Sequence, residues 1–237
     1  QVSFCEAVYE GTATVEGVTA ERIYTAKKQA VEEVLQRGRI PLLVDPDGRS
    51  IEVLKPDVVV DAIIAKKNLG TYKEMAPLVI GIGPGFVAGE DVHLVVESMR
   101  GHNLARILET GSALANTGIP GNIGGYTKER VIHAAAEGYM KNLHQIGDVV
   151  RKGEKIARIY EQMSPEGVFS GRFVSVEATI PGVLRGLIRE GYHFQKGFKI
   201  ADIDPREGEL ANCFTISDKA SSIGGSVLEA VCRYVNG

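Results

Sequence analysis

A pattern of thirteen residues occurs twice in this chain, and it constrains the fold more than any other feature. GDVVRKGEKIARI at 147–159 matches GYHFQKGFKIADI at 191–203. Gly147 aligns with Gly191, Lys152 with Lys196, Gly153 with Gly197, Lys155 with Lys199, Ile156-Ala157 with Ile200-Ala201, and Ile159 with Ile203. Each copy reads as strand, tight turn, strand, because glycine reaches the backbone angles of a tight turn without steric cost. Two copies of one hairpin predict a small β structure with a pseudo-two-fold axis over residues 126–206.

That arrangement resembles the barrel-sandwich hybrid of biotinyl and lipoyl domains. ATIPGVL at 178–184 sits where those domains carry an A-P-x-x-G-V turn. The carriers present a lysine on the hairpin between their two halves. Here no lysine lies between Lys155 and Lys196, so the likeness concerns fold and not a carrier arm.

The remaining residues read as α/β structure. The chain has 237 residues, more than one ordinary domain needs, and 44% are hydrophobic, enough for a core. Residues 12–24 read as extended. Thr25 reads as the N-cap of a helix over 26–37, with Ala30, Val31, Val34 and Leu35 as its apolar stripe and Gly38 as its stop. A strand at 40–44 and a turn at 45–48 follow. Apolar runs at 58–65, 78–82 and 92–96 suit strands covered on both faces. A second helix is expected at 102–110. Residues 222–236 form an amphipathic helix with Val227, Leu228, Val231, Cys232 and Val235 on one side, and it needs an apolar surface to pack on. The expected fold is therefore α/β, with a mixed Rossmann-like sheet lacking its first strand and loop, interrupted by a small β barrel. Residues 1–125 and 207–237 make the first domain, and 126–206 the second.

Composition excludes several roles. The net charge is -3 with Lys and Arg spread along the chain, which argues against a nucleic-acid partner. No apolar run approaches the ~18 residues of a membrane span. The three cysteines, Cys5, Cys213 and Cys232, give an odd count without metal-ligand spacing. That points to a reducing compartment, the cytoplasm.

Three segments carry candidate chemistry. GIGPGF at 81–86 is a glycine-rich loop at a strand end, where α/β sheets bind ligands. The backbone around Gly81, Gly83 and Gly85 suits an anion. Pro84 removes one donor, and a plain tight turn is the alternative reading. Asp91, His93, Glu97 and His102 fall within twelve residues. A polar strand face is favoured over a metal site, and a polar ligand site beside the glycine loop stands level with it. Arg100 and His102 lie near the start of the expected helix at 102–110, whose N-terminal amides attract anions. The third segment is NTGIPGNIGG at 116–125, where Asn116, Thr117 and Gly118 join the two parts. Together, Gly81, Gly83, Gly85, Asp91, His93, Arg100, His102, Asn116, Thr117 and Gly118 make one expected cleft for a small anionic ligand. Asp202, Asp204 and Arg206 at the barrel exit read as a turn lock.

Seven segments in order resemble one family. They are VSFCEAVYEG at 2–11, TVEGVTA at 14–20, VVDAIIAKKN at 59–68, PLVIGIGPGF at 77–86, DVHLVVESMRGH at 91–102, NTGIPGNIGGY at 116–126 and GFKIADIDPR at 197–206. The family is the selenium-dependent molybdenum hydroxylase system protein, an accessory protein of molybdenum enzyme maturation. The resemblance implies binding or transfer of the molybdenum cofactor or its precursor, with the apo-hydroxylase or other maturation proteins as partners. A homo-oligomer is left open. Family members carry a G-A-G-D-L-A-T-G loop after their first strand, which resembles a dinucleotide turn. This chain opens on Val2-Ser3-Phe4 with no starting Met, so it reads as a fragment lacking that loop. The rival reading is an enzyme of the same pathway that uses a nucleotide, ATP or NAD.

Overall fold

The computed structural model describes residues 3–118 and 121–237, which fall into two compact units. One comprises residues 3–117 and 216–237, and the other residues 118–215. The boundaries lie at 117/118 and 215/216, against 125/126 and 206/207 from the sequence.

The first unit begins with α1 (Ala7–Glu10), then a hairpin of β1 (Thr12–Val15) and β2 (Val18–Ile23). α2 (Lys28–Gln36) crosses to β3 (Ile40–Leu43), which pairs parallel with β2. The helix starts later than expected, because the Thr25 hydroxyl accepts from the amide of Lys27 instead of capping a turn at 26. It stops as expected. Gly38 is left-handed at φ 67, and the amides of Gly38 and Arg39 close on the carbonyls of Leu35 and Val34. A short α3 (Arg49–Leu54), absent from the sequence reading, has Asp45 accepting from the amides of Arg49 and Ser50.

A second sheet holds β4 (Val58–Asp61), β5 (Leu78–Ile82), β6 (Leu94–Val96) and β7 (Ile107–Leu108) in that order. The first three are parallel, and β7 is antiparallel to β6. The expected helix at 102–110 is not formed. Ala105 takes a left-handed φ of 67, its amide donates to Glu97, and the chain turns back to pair with β6. α4 (Asp218–Asn236) covers one sheet face: Ile223, Val227 and Ala230 pack on Leu78, Ile80, Ile82 and Val96. The helix is rotated from the expected orientation. Leu228 is 63% and Val235 71% exposed, and Cys232 is exposed too, whereas Ala230 is 1% exposed. The other sheet face buries Val79, Phe86, Val92 and Val95.

The second unit consists of β8 (Val131–His133), β9 (Gly138–Asn142), β10 (Val149–Val150), β11 (Lys155–Met163), β12 (Phe169–Glu177), β13 (Gly182–Leu187), β14 (His193–Phe194) and β15 (Lys199–Asp204). They form two four-stranded sheets, β10-β13-β15-β8 and β12-β11-β9-β14. Shifting each strand of the first sheet by one repeat gives the second: β8 and β10 advance to β12 and β14, while β13 and β15 step back to β9 and β11. The core repeats with an offset of 44 residues, pairing Ile132 with Val176, Ala134 with Ala178, Met140 with Leu184, Val150 with Phe194 and Ile159 with Ile203. Gly138 and Gly182 obey the same offset. A Cβ on either would lie 2.4 and 2.2 Å from the carbonyls of Tyr160 and Asp204, themselves a repeat pair. The turn lock is present. Arg206 bonds both oxygens of Asp204 at 2.9 and 2.8 Å.

The fold-class expectation is corrected on two points. The α/β part is two separate sheets and not one mixed Rossmann-like sheet, because among the described residues β3 has no strand partner beyond β2 and β4 pairs only with β5. The β unit is not a closed barrel. Its eight strands divide into two four-stranded sheets joined through side-chain packing.

The α4 packing sets a paired expectation. Ala230→Asp places an unpaired charge against Ile80 and Val96, which costs several kcal/mol. Leu228→Asp, two residues back on the exposed face, leaves the unfolding free energy within about 0.5 kcal/mol of the parent. Equal midpoints for the two variants would show that α4 does not dock by this face.

Candidate functional site

Because β4, β5 and β6 are parallel, the loops that follow them gather at one sheet end. After β4, the carboxylate of Asp61 accepts from the Ile63 amide at 3.0 Å and the Thr71 hydroxyl at 2.6 Å. Ile64 and Lys66 are held left-handed at φ 58 and 63. For a β-branched residue such as Ile64 this is a strained conformation. The strand expected to reach 65 therefore ends at 61.

After β5 comes the glycine loop, whose three glycines act differently. Gly81 is the paired strand partner of Val95, and a Cβ there would lie 2.5 Å from the Phe86 ring. It is a packing glycine. Gly83 donates to the Val96 carbonyl at φ 80, and a Cβ would lie 2.5 Å from Ser98 Oγ. Gly85 at φ 115 lies against the backbone of Lys67, brought there by the loop after β4.

After β6, Glu97 is 3% exposed. One of its oxygens accepts from the Met99 amide at 2.6 Å, the other from Leu114 at 2.8 Å. It is a buried clip for the chain that follows. Arg100 makes a two-pronged bond to Asp218, the first residue of α4, at 2.7 and 2.8 Å. Lys219 follows, partly buried, and forms no ion pair among the described residues. Burial pushes its ammonium below the ordinary lysine value; Arg100 and Lys66 push the same way, and Glu97 opposes them. The sequence reading missed Lys66 and Lys219, because nothing in local spacing connects residue 219 to residue 100.

The expected cleft divides. Gly83, Gly85 and Arg100 share this sheet end. Asp91 and His93 do not, because they precede β6. Asp91 accepts from the Val87 amide at 2.9 Å, and His93 Nδ1 accepts from the Val79 amide at 3.0 Å. Val79 and Gly83 are four strand residues apart, about 13 Å. Both side chains are occupied in turn and strand geometry. His102 is exposed in a turn with no helix behind it. Asn116 and Thr117 are exposed at the end of the first unit, and Gly118 opens the second. Ile119 and Pro120 of the same segment lie outside the described residues. A cavity of about 900 Å³ opens at the opposite end of the sheet, beside Asp57 and Pro77. Its walls mix Asp47, Arg49, Glu52 and Lys55 without a convergent set.

No family model matches the chain. It is 47% identical over 235 residues to the uncharacterized protein YqeB of Escherichia coli (strain K12), over 99% of this chain and 41% of that protein. The chain thus spans about two fifths of that relative's length. Similar solved structures include the product-bound ectoine utilization protein EutE (DoeB) from Ruegeria pomeroyi, 16% identical over 42% of this chain and 28% of that chain, with a TM-score of 0.26. An aspartoacylase family protein from Mesorhizobium loti is 11% identical over 43% and 29%, with a TM-score of 0.29. A succinylglutamate desuccinylase from Silicibacter is 16% identical over 54% and 45%, with a TM-score of 0.24. Scores this low carry no inference about this chain.

Gly83→Ala should cost about 1–3 kcal/mol in urea unfolding, from the forced φ and the crowding by Ser98. Ser98→Ala in the same background should return part of that loss. No recovery would mean that Ser98 is not what crowds the loop.

Proposed function

We propose that the chain serves in maturation of selenium-dependent molybdenum hydroxylases, binding or transferring the molybdenum cofactor or its precursor. The seven matching segments supply the family. The observation that carries the ligand class is the grouping of Lys219, which has no ion pair among the described residues, with Arg100 and Lys66 at the sheet end that also holds the 83–85 loop. A phosphate is the chemistry such a site fits. A charge-assisted contact holds its oxygens, and the arriving charge relieves the repulsion among three cations. Asp218 keeps the Arg100 guanidinium fixed beside the loop. The partners in this reading are the apo-hydroxylase or other maturation proteins, and the setting is the cytoplasm. Among the described residues no helix is long and apolar enough to cross a membrane.

Equilibrium dialysis with the phosphate-bearing pterin cofactor tests the reading. Lys219→Gln should weaken binding about tenfold, the worth of one charge-assisted contact. Affinity of the parent should fall as pH rises through the depressed Lys219 value, because the cation that attracts the phosphate is then lost. An affinity unchanged in Lys219→Gln, and flat with pH, sinks the assignment. Turnover of ATP or NAD by the protein would favour the rival enzyme reading.

A further inference from the structure

The two halves of the β unit match in their core and differ on one outer face. On the sheet β12-β11-β9-β14, residues directly opposite one another across all four strands are Phe173, Tyr160, Tyr139 and His193. Their strand neighbours Ile159 and Met140 are buried in the core, so this row faces away from it. Tyr160 lies 5.2 Å from the Phe173 ring and 5.4 Å from Phe169, and Tyr139 lies 4.7 Å from His193. Phe173 nevertheless stays 47% exposed. The 44-residue counterparts are Asp204, Val183 and Val149 on the other sheet and Glu129 in the turn before β8, none of them aromatic.

Beside the aromatic row, Lys141 and Arg158 stand directly opposite each other on the same face. Like charges in that relation destabilise a strand pair. Their counterparts are Arg185 and Asp202, of opposite sign. Lys141 has Glu190 at 2.8 Å, and His193 has Glu137 at 3.4 Å. Arg158 has no carboxylate among the described residues. Its guanidinium lies 4.7 Å from the Phe173 ring centre, and its buried Nε has no partner there. The two halves thus differ in two ways at one place, this face carrying a row of tilted ring contacts and a positive charge without a carboxylate partner.

We infer that this face binds a small anion carrying a planar ring, its charge between Lys141 and Arg158 and its ring against Tyr160 and Phe173. A nucleic-acid strand is disfavoured, because one uncompensated cation cannot track a run of phosphates. The inference is independent of the anion site at the β4–β6 sheet end.

Guanosine 5′-monophosphate is the probe, with guanosine and inorganic phosphate as its two halves. Backbone amide shifts should saturate with the nucleotide and centre on residues 139–142, 158–162 and 169–175. Each half alone should bind about tenfold or more weakly. Arg158→Gln should lower nucleotide affinity about tenfold, and Arg158→Lys should recover part of it. The second variant also decides the matter if the first fails to fold. Shifts centred on residues 83–100 and 219 would place the nucleotide at the other site and overturn this one. So would a nucleotide affinity unchanged by either Arg158 variant, inorganic phosphate binding as tightly as the nucleotide, no saturable shift, or a second copy of the chain occupying the face in light scattering.

Discussion

The apolar face made by Leu78, Ile80, Ile82 and Val96 must be kept from water, and the residues that cover it come from the far end of the chain. Three parallel strands leave both sheet faces apolar. Residues 86–95 double back to fill one face, where Phe86, Val92 and Val95 are buried. The other face waits for Ile223, Val227 and Ala230 of α4, more than a hundred residues later. Everything between Gly118 and Thr215 must therefore leave the first unit and return to it. A self-contained β unit whose ends connect back is the kind of insertion this permits. The bond between Arg100 and Asp218 reports the same closure, since it fixes the start of α4 beside the loop after β6. Exposed as it is, that pair adds little stability by itself, ~0.2–1 kcal/mol. Its effect is to orient the helix start.

The β unit was legible in part. Seven of the thirteen aligned positions repeat by identity, among them the turn glycines at 153 and 197, which take left-handed angles of 83° and 86°. The rest of the repeat was not legible, because a core conserves volume and not identity. Met140 answers Leu184 and Val150 answers Phe194, pairs that no residue-by-residue match scores. The backbone shows the relation plainly. The Gly147 amide donates to Leu184 and the Gly191 amide to Met140, at 2.9 and 2.7 Å. The step from repeat to closed barrel failed for a physical reason. A repeated hairpin specifies a symmetry axis, and two facing sheets satisfy that axis as well as a closed barrel does.

At the candidate site, glycine spacing found the loop after β5 but could not say why each glycine was there. Only contacts separate Gly81, crowded by a ring, from Gly83, crowded by a hydroxyl. Asp91 and His93 misled because alternation along a strand tells which face a side chain takes, not which end of the sheet it occupies. Both belong to the end where β6 begins. The expected helix at 102–110 misled differently. Its apolar spacing is real, yet the carboxylate of Glu97 holds the amides of Met99 and Leu114, and that geometry fixes a turn and a returning strand.

Lys219 and Arg158 show what the local rules leave over. Elsewhere in this chain charged groups meet partners as they leave water: Asp204 has Arg206 and Arg185, and Asp202 has Arg130. Burial alone would raise the Asp204 carboxyl, but the bonds from Arg206 hold it below its usual value. Its protonation would therefore cost stability, lost as pH falls through that depressed value. Lys219 has the opposite sign. With its value depressed in the fold, the unfolded chain holds the proton more tightly, so stability rises as pH climbs from the folded value toward the unfolded one. A protonated Lys219 thus costs the fold stability, and Arg158 opposite the like-charged Lys141 does so too. Neither is needed by the strand or helix it sits on, since glutamine would serve the backbone equally. The buried carboxylates Asp61, Glu97 and Asp204 all find donors at hydrogen-bond distance, whereas Lys219 and Arg158 have no carboxylate partner among the described residues, and that asymmetry is why the two anion proposals rest on them.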